Sequence, residues 1–137
     1  MMYIFEKKNL GKTLSEWSAK YEVYAPQKVE SYSQFLPYTD TSELALNEPH
    51  NTRYPPKSLF LPQSEVMLKY NKRLNKFDEI NILPEKRIVF GIRPCDASAL
   101  TLLDTVFDTD EYRDPYWTSK REKTILVGLG CSKPPST

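Results

Sequence analysis

Glycine is scarce in this chain: four in 137 residues, with none between Gly11 and Gly91. Turns across that interval are left to Pro, Asn, Asp and Ser. Histidine occurs once, as His50 between Pro49 and Asn51, and reads as a solvated loop residue rather than a catalytic base. There is no Gly-x-Gly-x-x-Gly, no Walker sequence and no nucleophile spaced usefully from a histidine, so neither a self-contained hydrolase nor a dinucleotide enzyme is visible. No apolar run approaches the ~20 residues that span a bilayer. The start, Met1-Met2-Tyr3-Ile4-Phe5-Glu6-Lys7-Lys8, lacks the basic-then-apolar layout of an export signal, so no membrane insertion and a cytoplasmic location are expected. Thiols stay reduced there, and the two cysteines then read as free thiols or metal ligands rather than a disulfide. Charge of one sign is also lacking. Nineteen basic against eighteen acidic residues give +1, and no basic stripe is present, so nucleic-acid binding is not expected.

What is present is a pair of apolar runs, each ending in a cysteine. Arg87-Ile88-Val89-Phe90-Gly91-Ile92 leads into Arg93-Pro94-Cys95-Asp96, and Lys123-Thr124-Ile125-Leu126-Val127-Gly128-Leu129-Gly130 leads into Cys131. Both lack polar alternation, as expected of strands buried on both faces of a parallel sheet. Between them, Leu100, Leu103, Val106 and Phe107 fall at helical spacing, which predicts a helix over Ala97–Phe107. A strand-helix-strand unit at 87–131 is a parallel crossover, and it sets Cys95 and Cys131 at the carboxyl edge of one sheet, where open α/β folds put their chemistry. The fold class expected is α/β: a small mixed or parallel sheet with flanking helices. At this length residues 1–137 form a single domain.

The remainder is read more coarsely. Tyr3-Ile4-Phe5 suggests a short strand. Thr13-Leu14-Ser15-Glu16 fits a capping box opening a helix at about 13–20, with Leu14, Trp17 and Tyr21 on one side. Tyr21-Glu22-Val23-Tyr24-Ala25 alternates as a strand and stops at Pro26. The proline-rich stretch 26–63 carries Tyr24, Tyr32, Phe35, Tyr38 and Tyr54 in and around it, enough apolar mass to be ordered. Lys57–Gln63 reads as a strand. Ser64 then caps a helix with Val66, Met67, Tyr70 and Leu74 on one face, and Lys69, Lys72, Arg73 and Lys76 on its wet side. Residues 75–86 read as a connection, and 108–117 as an acidic and aromatic loop.

Cys95 is the residue best placed for chemistry, because a thiol at a helix start feels the dipole and unpaired amides that favour thiolate, the form that ligates iron or zinc. The alternative is a small buried hydrophobe at a strand end. Two cysteines and one remote histidine do not complete a tetrahedral metal site. Arg93 either binds an anion at the carboxyl edge or pairs with Asp96 or Asp104, and Asp96 is most economically a helix cap.

Taken in order, Val89-Phe90-Gly91-Ile92-Arg93-Pro94-Cys95-Asp96-Ala97, Leu103-Asp104-Thr105-Val106-Phe107, Asp114-Pro115-Tyr116, Lys120-Arg121-Glu122 and Val127-Gly128-Leu129-Gly130-Cys131 resemble a known family. It is that of the iron–sulfur electron-transfer subunits which include the sulfhydrogenase beta subunit, together with its counterpart in anaerobic sulfite reductase. Pro56–Glu65 and Tyr24-Ala25-Pro26 are similar to the segments ahead of that core. The resemblance implies an oxidoreductase role in a hydrogenase-like or sulfite reductase-like complex. It also implies a chain that corresponds to the amino-terminal part of a longer subunit. Members of the family continue into a further cysteine pair around a phenylalanine and then a domain with two ferredoxin-type clusters.

On this resemblance Cys95 and Cys131 match cysteines that join the missing pair around one additional iron–sulfur cluster. Four thiolates are the usual set, and with two the chain is expected to hold such a cluster weakly or not at all. The implied partners are flavin-containing and catalytic oxidoreductase subunits, and no turnover by the chain alone is expected. Two other readings stand beside this one: a non-redox protein-docking module with structural cysteines, and a thiol-redox domain using Cys95 and Cys131 as a pair.

Overall fold

A computed structural model describes residues 7–46, 52–79 and 85–131. The expected strand at Tyr3–Phe5 and the loop residue His50 lie outside these. A 3-10 turn, Lys7–Asn9, runs into α1, Leu10–Ser18. Strands β1 (Glu22–Val29) and β2 (Tyr32–Pro37) follow, then a 3-10 turn at Pro56–Leu59, β3 (Leu68–Asn71) and β4 (Lys76–Glu79). The chain continues through β5 (Arg87–Ile92), α2 (Pro94–Phe107), α3 (Pro115–Glu122) and β6 (Thr124–Gly128).

The main sheet has the order β2-β1-β5-β6; β1 is antiparallel to β2 and parallel to β5, and β5 is parallel to β6. The fold is therefore α/β with a mixed four-stranded sheet. Its strand-helix-strand unit is as the apolar runs predict, with α2 opening three residues earlier, at Pro94 rather than Ala97. Every residue of β5 is buried. β6 is not buried on both faces: it is an edge strand, and Ile125 is 51% exposed.

Side-chain alternation along β5, shifted by one residue at the irregularity between Phe90 and Ile92, divides the core between the two faces. On one face Ile88 and Phe90 join Val23 and Ala25 of β1 and Leu10 and Leu14 of α1. On the other, Val89 and Ile92 meet Leu100 of α2, Trp117 of α3 and Phe60. Phe60 is fully buried, with its ring 5.9 Å from that of Trp117. It reaches the core because residues 56–59 form a tight 3-10 turn rather than the expected strand. Pro56 opens the turn, Ser58 donates to the Pro55 carbonyl at 3.1 Å, and the Phe60 N–H donates to the Lys57 carbonyl at 3.0 Å.

Several local expectations are corrected by tertiary context. The helix α1 begins one turn before Thr13, so Thr13 and Glu16 form no capping box; the Thr13 hydroxyl instead bonds back to the Asn9 carbonyl at 3.1 Å. The strand β1 does not stop at Pro26. Its pairing with β5 ends at Tyr24, so the missing proline N–H disrupts no ladder there, and residues 43–45 take over that flank, with the Ala45 N–H donating to the Pro26 carbonyl at 2.8 Å. The helix expected after Ser64 is the hairpin β3–β4, and part of the connection expected over 75–86 is strand. Local turn chemistry outweighs helical spacing: Asn71 Oδ1 accepts the Arg73 N–H at 3.1 Å, and Asn75 adopts φ 48°. Finally, the loop expected over 108–117 holds for 108–114 and gives way at Pro115 to α3, whose N-cap Asp114 accepts the N–H groups of Tyr116 and Trp117 at 2.8 and 3.0 Å.

Candidate functional site

The site follows from where β5 and β6 end. Ile92 and Gly128 are the last partners in their parallel ladder, and the Leu129 N–H carries it one step further to the Ile92 carbonyl at 2.8 Å. Both chains then leave the same edge. Arg93 is the extended N-cap residue of α2, Pro94 fills the first helical position, where no N–H is needed, and Cys95 follows in the first turn, exposed. Cys131 is likewise exposed, three residues beyond β6.

Arg93 links the two loops. Its Nη1 donates to the Cys131 Sγ at 3.2 Å, across 38 residues of sequence. Of the two acids expected for Arg93, Asp96 feels its charge, whereas Asp104 is bound by Arg121 through Nε at 2.9 Å and Nη2 at 2.7 Å. A signal for the contact exists in the sequence, since Arg93 and Cys131 each follow an apolar run at nearly the same offset. Asp96 does not cap α2, because the N-cap is Arg93 and carries no side-chain cap bond. The Asp96 carboxyl lies half-buried in the first turn, and burial pushes its pKa up against the opposing charges of Arg93 and Lys57.

At the same edge a small cleft is lined by Pro26, Ser33, Gly91, Arg93, Asp96 and Leu129. Gly91 makes this close approach possible. It sits at φ 80°, at the irregularity between Phe90 and Ile92 in the β5–β6 ladder, and a Cβ there would lie 3.0 Å from Pro26 Cδ.

At the far end of α2, Asp104 accepts from the Trp117 indole at 2.8 Å as well as from Arg121, tying α2 to α3. The Arg121 hydrogen bonds hold the Asp104 carboxyl below the usual carboxylate range, aided by the indole and opposed by burial. At the opposite, amino edge of the sheet, Arg87 is buried over the Phe60 ring at 5.0 Å, with its Nε donating to Thr124 Oγ1 at 2.7 Å. Its Nη2 has no hydrogen-bond partner, and burial lowers its pKa. Nearby, burial and then the Glu22 hydrogen bond push the Tyr24 hydroxyl up to about 12.

Among the described residues no group of three or more His, Cys, Asp or Glu side chains is gathered where a metal ion could be held. Among them, too, no helix is long and apolar enough to cross a membrane.

No family model matches the chain, and no solved structure matches it. Among curated proteins it is similar to the sulfhydrogenase 2 subunit beta of Pyrococcus furiosus, with 30% identity over 109 residues. The match takes in 80% of this chain and 31% of that protein, so the chain spans well under half the length of its relative.

Proposed function

We propose that this chain is the amino-terminal α/β domain of an iron–sulfur electron-transfer subunit in a hydrogenase-like oxidoreductase. In this reading Cys95 and Cys131 give two thiolates to a cluster completed by two further cysteines of a longer subunit, and flavin-containing and catalytic subunits are the partners. The observation that carries the reading is the joint placement of both cysteines at the carboxyl edge of β5 and β6, in a chain similar to a sulfhydrogenase beta subunit.

A cluster, when bound, supplies one-electron transfer between subunits. The chain's own residues act on the ligands. The parallel ladder holds the two loops side by side, Pro94 sets the start of α2, and the Arg93 guanidinium donates through Nη1 to the Cys131 sulfur. Hydrogen bonds to ligating sulfur are one lever a protein has on cluster potential, which makes Arg93 a positioning residue.

The test is anaerobic reconstitution of the chain beside a version extended through a further cysteine pair, read by iron and sulfide content and visible absorption. The extended form is expected to hold a cluster and the 137-residue chain little or none. Cys95→Ser and Cys131→Ser are each expected to lower the iron content of the extended form. A stable cluster that persists with both replaced overturns the assignment. So does an extended form that takes up no iron and whose two thiols cycle as a disulfide.

A further inference from the structure

The β3–β4 hairpin is a two-stranded sheet separate from the main one. Such a pair is marginal in water without something packed on it. Local bonds close this one: the Tyr70 hydroxyl donates to Asn75 Oδ1 at 2.6 Å, and Tyr70 stands opposite Phe77 with ring centroids 5.2 Å apart. Its root is tied to α3. There the Tyr116 hydroxyl donates to the Met67 carbonyl at 3.1 Å, and Lys120 Nζ lies 2.6 Å from Glu65 Oε1.

Beyond the root, its large apolar side chains are left in solvent: Leu68 is 56% exposed, Tyr70 51%, Leu74 69% and Phe77 62%. Strand alternation puts Leu68, Tyr70 and Phe77 on one face, so three of these make a contiguous strip rather than scattered surface residues. Charge is divided along the hairpin. Lys72, Arg73 and Lys76 cluster at the turn end, and among the described residues none of them is ion-paired. The acids lie toward the root, where Glu65 is already held by Lys120.

We propose that this hairpin is a docking surface for a partner protein, which covers the Leu68–Tyr70–Phe77 strip with an amphipathic helix. The helix carries acidic residues at the end that meets Lys72 and Arg73 in the turn. A sheet face is normally buried by a helical or sheet layer, and a cationic turn selects an anionic complement. A membrane is the poorer fit, because three of the four apolar side chains stand on the blade and only Leu74 is in the basic turn. A second copy is poorer too, since by register it brings one strip-face acid, Glu79 opposite Leu68, to two turn cations, while Asp78 lies on the opposite face and Glu65 is engaged. The proposal deepens the assembly part of the reading above and does not depend on the cluster.

The experiment places p-benzoylphenylalanine at position 77 of the full chain, and separately at position 12 on α1, in the cells that make the protein. After irradiation the cross-linked peptides are mapped. The partner found is then purified and titrated against the chain and against the Lys72→Glu, Arg73→Glu double variant. The expected result is a cross-link from position 77 alone to a helical segment with apolar and acidic residues. Its affinity is expected to fall roughly ten-fold for the double variant, with circular dichroism unchanged because neither residue is in the core. A cross-link to a second copy or to lipid, no cross-link above position 12, or an affinity indifferent to charge reversal overturns the proposal. Iron content, measured in parallel, reports separately on the cluster.

Discussion

Arg93 Nη1 and Cys131 Sγ stand 3.2 Å apart, a charged donor against a sulfur, although 38 residues separate them in the chain. The contact exists because β5 and β6 are adjacent and parallel, so both loops leave the sheet in the same direction. It makes the environment of one thiol depend on a residue that belongs, by sequence, to the neighbourhood of the other.

Both thiols are exposed, so each is expected to react with a small aromatic disulfide reagent in the folded protein, two equivalents per chain. Arg93→Ala is expected to change the labelling rate of Cys131 and leave that of Cys95 within experimental error. Stopped-flow labelling of the Cys95→Ser and Cys131→Ser variants, each with and without Arg93, checks this. Equal effects on both thiols would show that Arg93 acts on the whole edge rather than on Cys131.

Gly91→Ala is expected to destabilise the domain by roughly 1–3 kcal/mol, the usual cost of forcing a side chain into a positive-φ conformation. The new Cβ would meet Pro26 Cδ at 3.0 Å, so the neighbouring ring must also move. Urea unfolding followed by Trp fluorescence measures the loss. A midpoint unchanged from the parent would contradict the close approach of β1 and β5.

Trp117→Ala is expected to cost about 3–5 kcal/mol, since it empties the space between α2 and the sheet. Trp117 is 1% exposed and lies 5.9 Å from the Phe60 ring and 5.4 Å from Phe107. The same equilibrium measurement applies, and Phe60→Ala should fall in a similar range.

Asp104 couples stability to pH. Its pKa is lowered in the folded state, chiefly by the Arg121 hydrogen bonds, relative to about 3.9 for an unfolded aspartate. The contribution is therefore complete above about pH 4 and is lost as pH falls through the folded value. Asp104→Ala is expected to destabilise by about 1–3 kcal/mol at pH 7, because the guanidinium and indole donors lose their acceptor. It should also flatten the acid limb of a stability–pH profile. An acid limb identical to the parent's would place that titration elsewhere.

The β5–α2–β6 unit is legible in the amino-acid sequence because its signals are local. The strand β5 is an uninterrupted apolar run and α2 shows apolar residues at 3.6-residue spacing, whereas the start of α2 at Pro94 and the exposure of β6 at the sheet edge are set by the fold. The same reasoning places both cysteines at one edge. Helical spacing fails at residues 64–76, where Val66, Met67, Tyr70 and Leu74 mimic a helix face while Asn71 and Asn75 close a hairpin turn. The proline signal fails at Pro26, because whether a missing N–H matters depends on which neighbour lies alongside. The partners of Arg93 and Asp104 are likewise set only in three dimensions. A side chain's propensity acts on its own few residues, whereas a hydrogen bond between loops 38 residues apart forms only after the sheet has chosen its strand order.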